Sequence, residues 1–199
     1  MVQLVIEGPT ELRGEIEVSG AKNSVSKLLT ASMLTAETCR FDNVPNIGDT
    51  SVTREMAESL GAHITSGPGN QLDITTSAIG NFQVPENLAK RNRLSVMMLA
   101  PLLHRCGKAA VPAAGGDKIG ARPVDFHLEA YRKMGAHIEE GGAVYIAEAD
   151  GLRGADITFP YPSVTATENI LMAATLARGT TYIRNAAIEP EVMDLAMFL

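Results

Sequence analysis

The sequence predicts an α/β chain built from repeats of one small unit, on three observations. Strand-like and helix-like stretches alternate from end to end. The segment MGAHI at 134–138 echoes LGAHI at 60–64, a displacement of 74. The segment ATLARGTTYIRN at 174–185 aligns position for position with SMLTAETCRFDN at 32–43, a displacement of 142. The second displacement is nearly twice 70, so the unit is about 70 residues long and occurs three times. Self-similarity at a fixed period is stronger evidence of architecture than any single helix or strand.

The elements follow in order. From Asn23 to Leu34, the residues Val25, Leu28, Leu29, Ser32 and Met33 fall at helical spacing and predict an amphipathic helix. Thr38 to Val44 reads as a strand with Cys39 and Phe41 on one face. Asp49 is placed to cap a second helix through Val52, Met56 and Leu60, with Gly61 as its left-handed end. Ala62–Ile64 and Leu72–Ile74 read as paired short strands. The order then recurs: a helix around Leu94 to Leu103, a strand Ala109–Val111, and a helix opened by Pro123 and ended at Met134-Gly135. Thr165-Ala-Thr-Glu168 has the form of a capping box that starts the third copy. Shifted by 142, Gly61–Ile64 falls at 203–206, past Leu199, so the third copy reads as unfinished and the chain as truncated.

Composition narrows the class. Of 199 residues, 45% are hydrophobic and 20% charged, the balance of an ordinary globular protein. With no Trp and few aromatics, the core must be aliphatic and Met-rich. No apolar run approaches the roughly 20 residues that span a bilayer, and the N-terminus lacks the form of a signal peptide. Two cysteines, Cys39 and Cys106, suit a reducing cytoplasm. A net charge of −6 without a basic run argues against nucleic acid as a partner. It does not argue against an anionic small molecule, because a few cations set the field inside a cleft.

Three constellations have chemical potential. Ser19-Gly-Ala-Lys22-Asn23 lies at a strand-to-helix turn, where free N–H groups and an adjacent ammonium attract anions; a solvated Lys in a Gly turn is the plainer reading. GGDKIGARPVDFH at 115–127 brings Lys118 and Arg122 into a Gly-rich loop before a Pro-started helix. Arg122 suits two-point pairing with a phosphate or carboxylate. Asp117 is either a general acid or a turn former, and on the residues alone the turn is favoured. Pro162-Ser-Val-Thr165 could meet a diphosphate or simply cap a helix, and in isolation the cap is favoured. The four histidines show no metal pattern, and His63 and His137 hold equivalent places in two repeats.

In combination, SGAKN (19–23), Arg93 in NRLSVMMLAPL, GGDKIGARPVDFH (115–127), SVTATEN (163–169) and NAAIEPEVMD (185–194) resemble the UDP-N-acetylglucosamine 1-carboxyvinyltransferases, in that family's order and spacing. The ARPVD segment is the most specific. The resemblance covers the N-terminal half of a family member. It implies an inside-out α/β barrel-type domain of repeated small units, with helices inside and sheets outside. It also implies an opening hairpin over 1–19 that belongs with an absent second domain. Residues 20–199 then form the first domain, with repeats at about 20–85, 86–155 and a truncated 156–199. The active site would lie between the two domains.

The resemblance further implies transfer of the enolpyruvyl group of phosphoenolpyruvate to the 3-hydroxyl of UDP-N-acetylglucosamine, with release of phosphate and no cofactor or metal. This is the first committed step of peptidoglycan synthesis, and hence of cell-wall building, cell shape and division, in the cytoplasm. Lys22, Asn23 and Arg122 would hold phosphoenolpyruvate. Asn23, Arg93, Arg122, Pro123, Val124, Asp125, Phe126, Ser163, Val164 and Thr165 would hold the UDP-sugar. Asp117 would donate the proton, with Lys22 and Arg122 as the other catalytic groups. The remaining acid and a further Arg would come from the missing C-terminal half. Most members resembled carry Cys at the place of Asp117 and a minority carry Asp; well-studied members have Lys at the place of Tyr161 and Gly at that of Thr165. The antibiotic fosfomycin alkylates that thiol, so Asp117 implies resistance. Two rival readings stand beside this one. The shikimate-pathway enolpyruvyl transferase shares the architecture but usually has Lys-Ser in the first turn and lacks ARPVD. The other is a non-catalytic fragment that only binds ligand.

Overall fold

The computed structural model describes residues 3–113 and 124–199. The first unit comprises α1 (Lys22–Ala31), β1 (Thr38–Phe41), α2 (Gly48–Leu60), β2 (His63–Gly67) and β3 (Gln71–Thr75). The second comprises α3 (Glu86–Ala89), a 3-10 turn Ser95–Met98 running into α4 (Leu99–Cys106), β4 (Lys108–Pro112), α5 (Asp125–Lys133), β5 (His137–Gly141) and β6 (Val144–Glu148). The third comprises β7 (Asp156–Thr158), α6 (Val164–Thr175), β8 (Tyr182–Arg184) and α7 (Pro190–Phe198).

Two sheets share one topology. In the first, β3 pairs antiparallel with both β1 and β2; in the second, β6 pairs antiparallel with both β4 and β5. Each unit also opens on a segment that runs alongside its first main strand. Gln83 bridges Ala110 in parallel, β7 pairs in parallel with β8, and the Gly20 N–H donates to the Asn43 carbonyl at 3.1 Å.

The repeat extends to backbone conformation. Asn43 and Asn185, 142 positions apart, both have positive φ, at 52° and 55°, a region Asn tolerates better than most residues. Their side-chain amides make matching bonds back to the opening segment, to the Val18 and Phe159 carbonyls. Gly61 and Gly135 both end helices with positive φ, at 118° and 94°. In each case the next residue bonds five back, Ala62 N–H to Ala57 O and Ala136 N–H to Tyr131 O, which is the Schellman pattern. The LGAHI and MGAHI segments are therefore one structural device used twice.

Helices occupy the middle. The apolar stripes of α1, α2 and α4 bury Leu29, Met56, Leu60, Leu99, Leu102 and Leu103 completely, and Met33, Met97 and Met98 fill between them. The aliphatic, Met-rich core is the one composition required. The sheets lie outside, with β1 and β2 showing half-exposed patterns.

Several boundaries differ from expectation. The strand from Thr38 ends at Phe41 rather than Val44, because the chain turns at Asn43. Asp49 does not cap α2: the helix begins one residue earlier, at Gly48, and Asp49 sits in its first turn facing Lys22. Helix α6 starts at Val164 with Ser163 as its cap, the hydroxyl accepting from the Ala166 N–H at 3.4 Å. Thr165 is thus inside the helix, and Glu168 points into the core instead of reaching back to a cap. Among residues 3–19 no hairpin forms, and Leu4, Ile6, Leu12 and Ile16 stand exposed with no surface to pack on. A two-strand hairpin without such a surface is marginal in water.

Candidate active site

An open cleft of about 820 Å³ runs between the start of α1, the start of α2, the segment 91–96 and α5. Lys22 and Asn23 form its wall as the first two residues of α1. Ala21 is extended at the helix start and offers no side-chain cap, so the first N–H groups of α1 are left without one. Gly20 permits the approach: a Cβ there would collide with the Asn43 carbonyl oxygen.

The cleft is cationic although the chain is acidic overall. Its described lining includes Lys22, Lys27, Arg91 and Arg93 against the single carboxylate of Asp49. Asp49 pairs with the exposed Lys22 at 3.2 Å, and Arg91 pairs with Glu55. Lys22, Lys27 and Arg91 are thus held by carboxylates, Lys27 by that of Glu168, and a phosphorylated or carboxylated ligand would compete for them.

Beneath this surface lies a buried polar layer. Lys27, one turn after Asn23, donates to the Asn23 carbonyl at 2.6 Å and lies 3.4 Å from a carboxylate oxygen of Glu168 on α6. Glu168 is fully buried, and neither of its oxygens has a hydrogen-bond partner. Burial pushes its carboxyl up to about 7, with the nearby Lys27 ammonium opposing and Glu191 and Glu189 adding to the rise. Two further bonds tie the start of α1 to α7: Asn23 Nδ2 donates to Glu191 at 3.0 Å, and the Ser24 hydroxyl donates to Asp194 at 2.7 Å.

A second buried group meets the cleft from α5. Tyr131 donates to the Asn169 oxygen at 2.8 Å, and the Asn169 amide nitrogen donates to the Val96 carbonyl at 3.1 Å and to His127 Nδ1 at 2.9 Å. With its oxygen and both hydrogens assigned, Asn169 obliges His127 Nδ1 to accept, which puts the ring proton on Nε2. Burial lowers the His127 pKa to about 4, so the ring is neutral near pH 7.

The structure brings together at the cleft Lys22, Asn23, Arg93, Val124 and Thr165. Others of the expected binding set lie beside it. Asp125 is exposed in the first turn of α5. Phe126 packs edge-on against Tyr161 at 5.0 Å and near Phe159 at 6.2 Å. Ser163 spends its hydroxyl on the cap of α6, the plainer of its two readings, and Val164 opens the helix. Asp117, Lys118, Arg122 and Pro123 lie outside the described residues.

Sequence reasoning missed Lys27, Glu168, His127 and Asn169 as groups of the site. A signal existed for the first pair. Lys27 interrupts the apolar stripe of α1 and Glu168 that of α6, and opposite charges in two core-facing stripes call for each other. Among the described residues no cluster is built to hold a metal ion, and no helix is long and apolar enough to cross a membrane.

The family model described as EPSP synthase (3-phosphoshikimate 1-carboxyvinyltransferase) matches residues 6–199. The UDP-N-acetylglucosamine 1-carboxyvinyltransferase of Chlamydia pneumoniae is 45% identical over 195 residues, which cover 96% of this chain and 43% of that relative. The protein of the same name from Gloeobacter violaceus is 46% identical over 195 residues, covering 98% of this chain and 42% of that relative. The chain thus spans about half the length of the curated relatives it matches. Among solved structures, the enolpyruvyl transferase NikO from Streptomyces tendae superposes with a TM-score of 0.81 at 22% identity, over 94% of this chain and 44% of that one. EPSP synthase from Acinetobacter baumannii superposes with a TM-score of 0.72 at 17% identity, over 90% of this chain and 42% of that one. At those identities the structures show the fold alone, an inside-out α/β barrel.

Proposed function

This chain belongs to the EPSP synthase family, and from that we propose that it supplies one wall of an enolpyruvyl transferase acting on UDP-N-acetylglucosamine and phosphoenolpyruvate. The observation that carries the reading is whole-chain identity of about 45% to relatives named for that carboxyvinyl transfer. The family model takes its description from transfer to a shikimate phosphate, which is the second reading. The ARPVD segment and Lys22-Asn23 favour the first.

In this reading Lys22, Asn23 and Arg122 hold the phosphate and carboxylate of phosphoenolpyruvate. Arg93, the segment Arg122 to Phe126, and Ser163 to Thr165 hold the UDP-sugar. The 3-hydroxyl of the sugar attacks C2 of phosphoenolpyruvate, its proton passing to the acidic residue of the missing half, while Asp117 protonates C3. The tetrahedral adduct then loses phosphate from C2 as a proton leaves C3, which restores the C2–C3 double bond and gives the enol ether of the sugar. The cationic cleft contributes by charge placed before the reaction begins. His127, neutral with its proton on Nε2, adds a donor that carries no charge. We also place residues 1–19 with a second domain and 20–199 in the first, the active site closing between them. The setting is the cytoplasm and the product enters peptidoglycan, with consequences for cell shape and division. Asp117 in place of a thiol makes the enzyme resistant to fosfomycin.

The test is a titration of the 199-residue protein with UDP-N-acetylglucosamine and, separately, with shikimate 3-phosphate, with and without a downstream half. Binding of the UDP-sugar that perturbs Lys22, Asn23 and Arg93 is expected, and turnover only with the downstream half. Selective binding of shikimate 3-phosphate would transfer the assignment to the second reading. Phosphate release by the chain alone at the rate of a complete enzyme would refute the need for a partner half.

A further inference from the structure

We infer that Lys27 and Glu168 are positioning residues of the site, a buried pair that fixes the turn carrying Lys22 and Asn23 against α6. The inference deepens the function proposed above and rests on that turn being the ligand-binding one. Three observations carry it. Lys27 Nζ donates to the carbonyl of Asn23, so the ammonium holds the backbone of a residue that lines the cleft. Lys27 is itself almost wholly buried, and the carboxylate 3.4 Å away, Glu168, is buried completely. Glu168 makes no hydrogen bond, so nothing but the Lys27 charge compensates it among its described neighbours.

A buried ion pair with poor hydrogen bonding is a weak stabiliser, and an apolar pair of similar volume usually serves the core as well or better. Its use must then lie in what it orients. Besides the surface pair Lys22–Asp49 and the Gly20 N–H bond to Asn43, three contacts grip the turn: Lys27 on the Asn23 carbonyl, Glu191 on the Asn23 amide, and Asp194 on the Ser24 hydroxyl. The last two partners are both carried by α7, Asp194 exposed and Glu191 half-buried. Of these three groups only Lys27 reaches into the core, where Glu168, when ionised, offsets its charge. Displacement of the turn by an ångström would move both Lys22 and Asn23 relative to Arg93 across the cleft.

The experiment uses the 199-residue protein and four variants: Lys27→Met, Glu168→Gln, Lys27→Arg and the double Lys27→Met/Glu168→Leu. Three readouts are taken: thermal midpoint, amide exchange along α1, and the amide cross-peak of Ser24, whose peptide carbonyl is the Asn23 oxygen. The double variant is expected to recover the midpoint lost in Lys27→Met. It is nevertheless expected to keep exchange of amides 22–26 about tenfold faster than in the parent protein, with a shifted Ser24 peak. Lys27→Arg, which keeps charge and donor, should restore both. Recovery of midpoint, exchange and Ser24 peak together in the double variant would reduce the pair to core filling and overturn the inference. So would an unchanged Ser24 peak in Lys27→Met. If Lys27→Met does not fold, the double variant and Lys27→Arg still decide. Parallel titration with phosphoenolpyruvate separates the two claims: loss of the local readouts with no ligand response in the parent protein would sink the functional reading while sustaining the pair.

Discussion

Two buried groups, His127 lining the cleft and Glu168 beneath it, should make stability depend on pH in opposite senses, so that each conceals the other. His127 titrates near 4 in the folded chain, against about 6.5 when unfolded. Its folded value is depressed, so between those limits the unfolded chain binds the extra proton. The neutral ring's contribution is present above about 6.5 and is lost as pH falls towards 4. Glu168 titrates near 7 when folded, against 4.5 when unfolded. Its folded value is raised, so its contribution is present below about 4.5 and is lost as pH rises towards 7. One proton per group gives a slope of about 1.4 kcal/mol per pH unit, and each window amounts to about 3 kcal/mol. Between roughly pH 4.5 and 6.5 the slopes oppose and cancel. The assay is urea denaturation of the parent protein, His127→Gln and Glu168→Gln at half-unit steps from pH 4 to 8. Constant effects of each substitution drop out of the slopes. Relative to His127→Gln, the parent should gain about 3 kcal/mol from pH 4 to 6.5; relative to Glu168→Gln, it should lose about as much from pH 4.5 to 7. Difference curves that are flat, or that slope the same way, would refute the reasoning from burial.

Other consequences are simpler. Gly61→Ala and Gly135→Ala both force a side chain into positive φ, at a cost of about 1 kcal/mol. A Cβ at Gly61 would also sit 2.6 Å from the Ala78 carbonyl while that at Gly135 meets open space, so Gly61→Ala should be clearly the more destabilising in denaturant melts. Tyr131→Phe strands the buried Asn169 oxygen and should cost about 1–3 kcal/mol, or roughly 2–4 °C of thermal midpoint per kcal/mol. A loss below about 0.5 kcal/mol would mean that the oxygen finds another donor. In the complete enzyme Asp117→Cys should gain sensitivity to fosfomycin, because a thiolate attacks the epoxide far faster than a carboxylate. A covalent adduct on the unsubstituted protein, seen by mass spectrometry, would contradict that.

The repeat was legible in the chain because it is carried by local chemistry. Gly61 and Gly135 end helices in a conformation that glycine alone adopts without strain, and the apolar stripes of α1 and α2 specify which faces turn inward. The turn at Lys22-Asn23 was legible for the same reason, since a glycine, a helix start and a cation are neighbours in sequence. What the order of residues did not reveal was every contact between helices distant along the chain. Thr165-Ala-Thr-Glu168 satisfies a capping pattern, yet Glu168 lies in the core opposite Lys27, 141 positions away, and Ser163 takes the cap. His127, Asn169 and Tyr131 were likewise unremarkable until packing of α5 on α6 joined them and assigned the ring proton. A local pattern offers a polar residue a partner within a few positions. Once packing removes water, the energy of leaving a charge or an amide unpaired exceeds that of any cap, and the partner across the core decides its place.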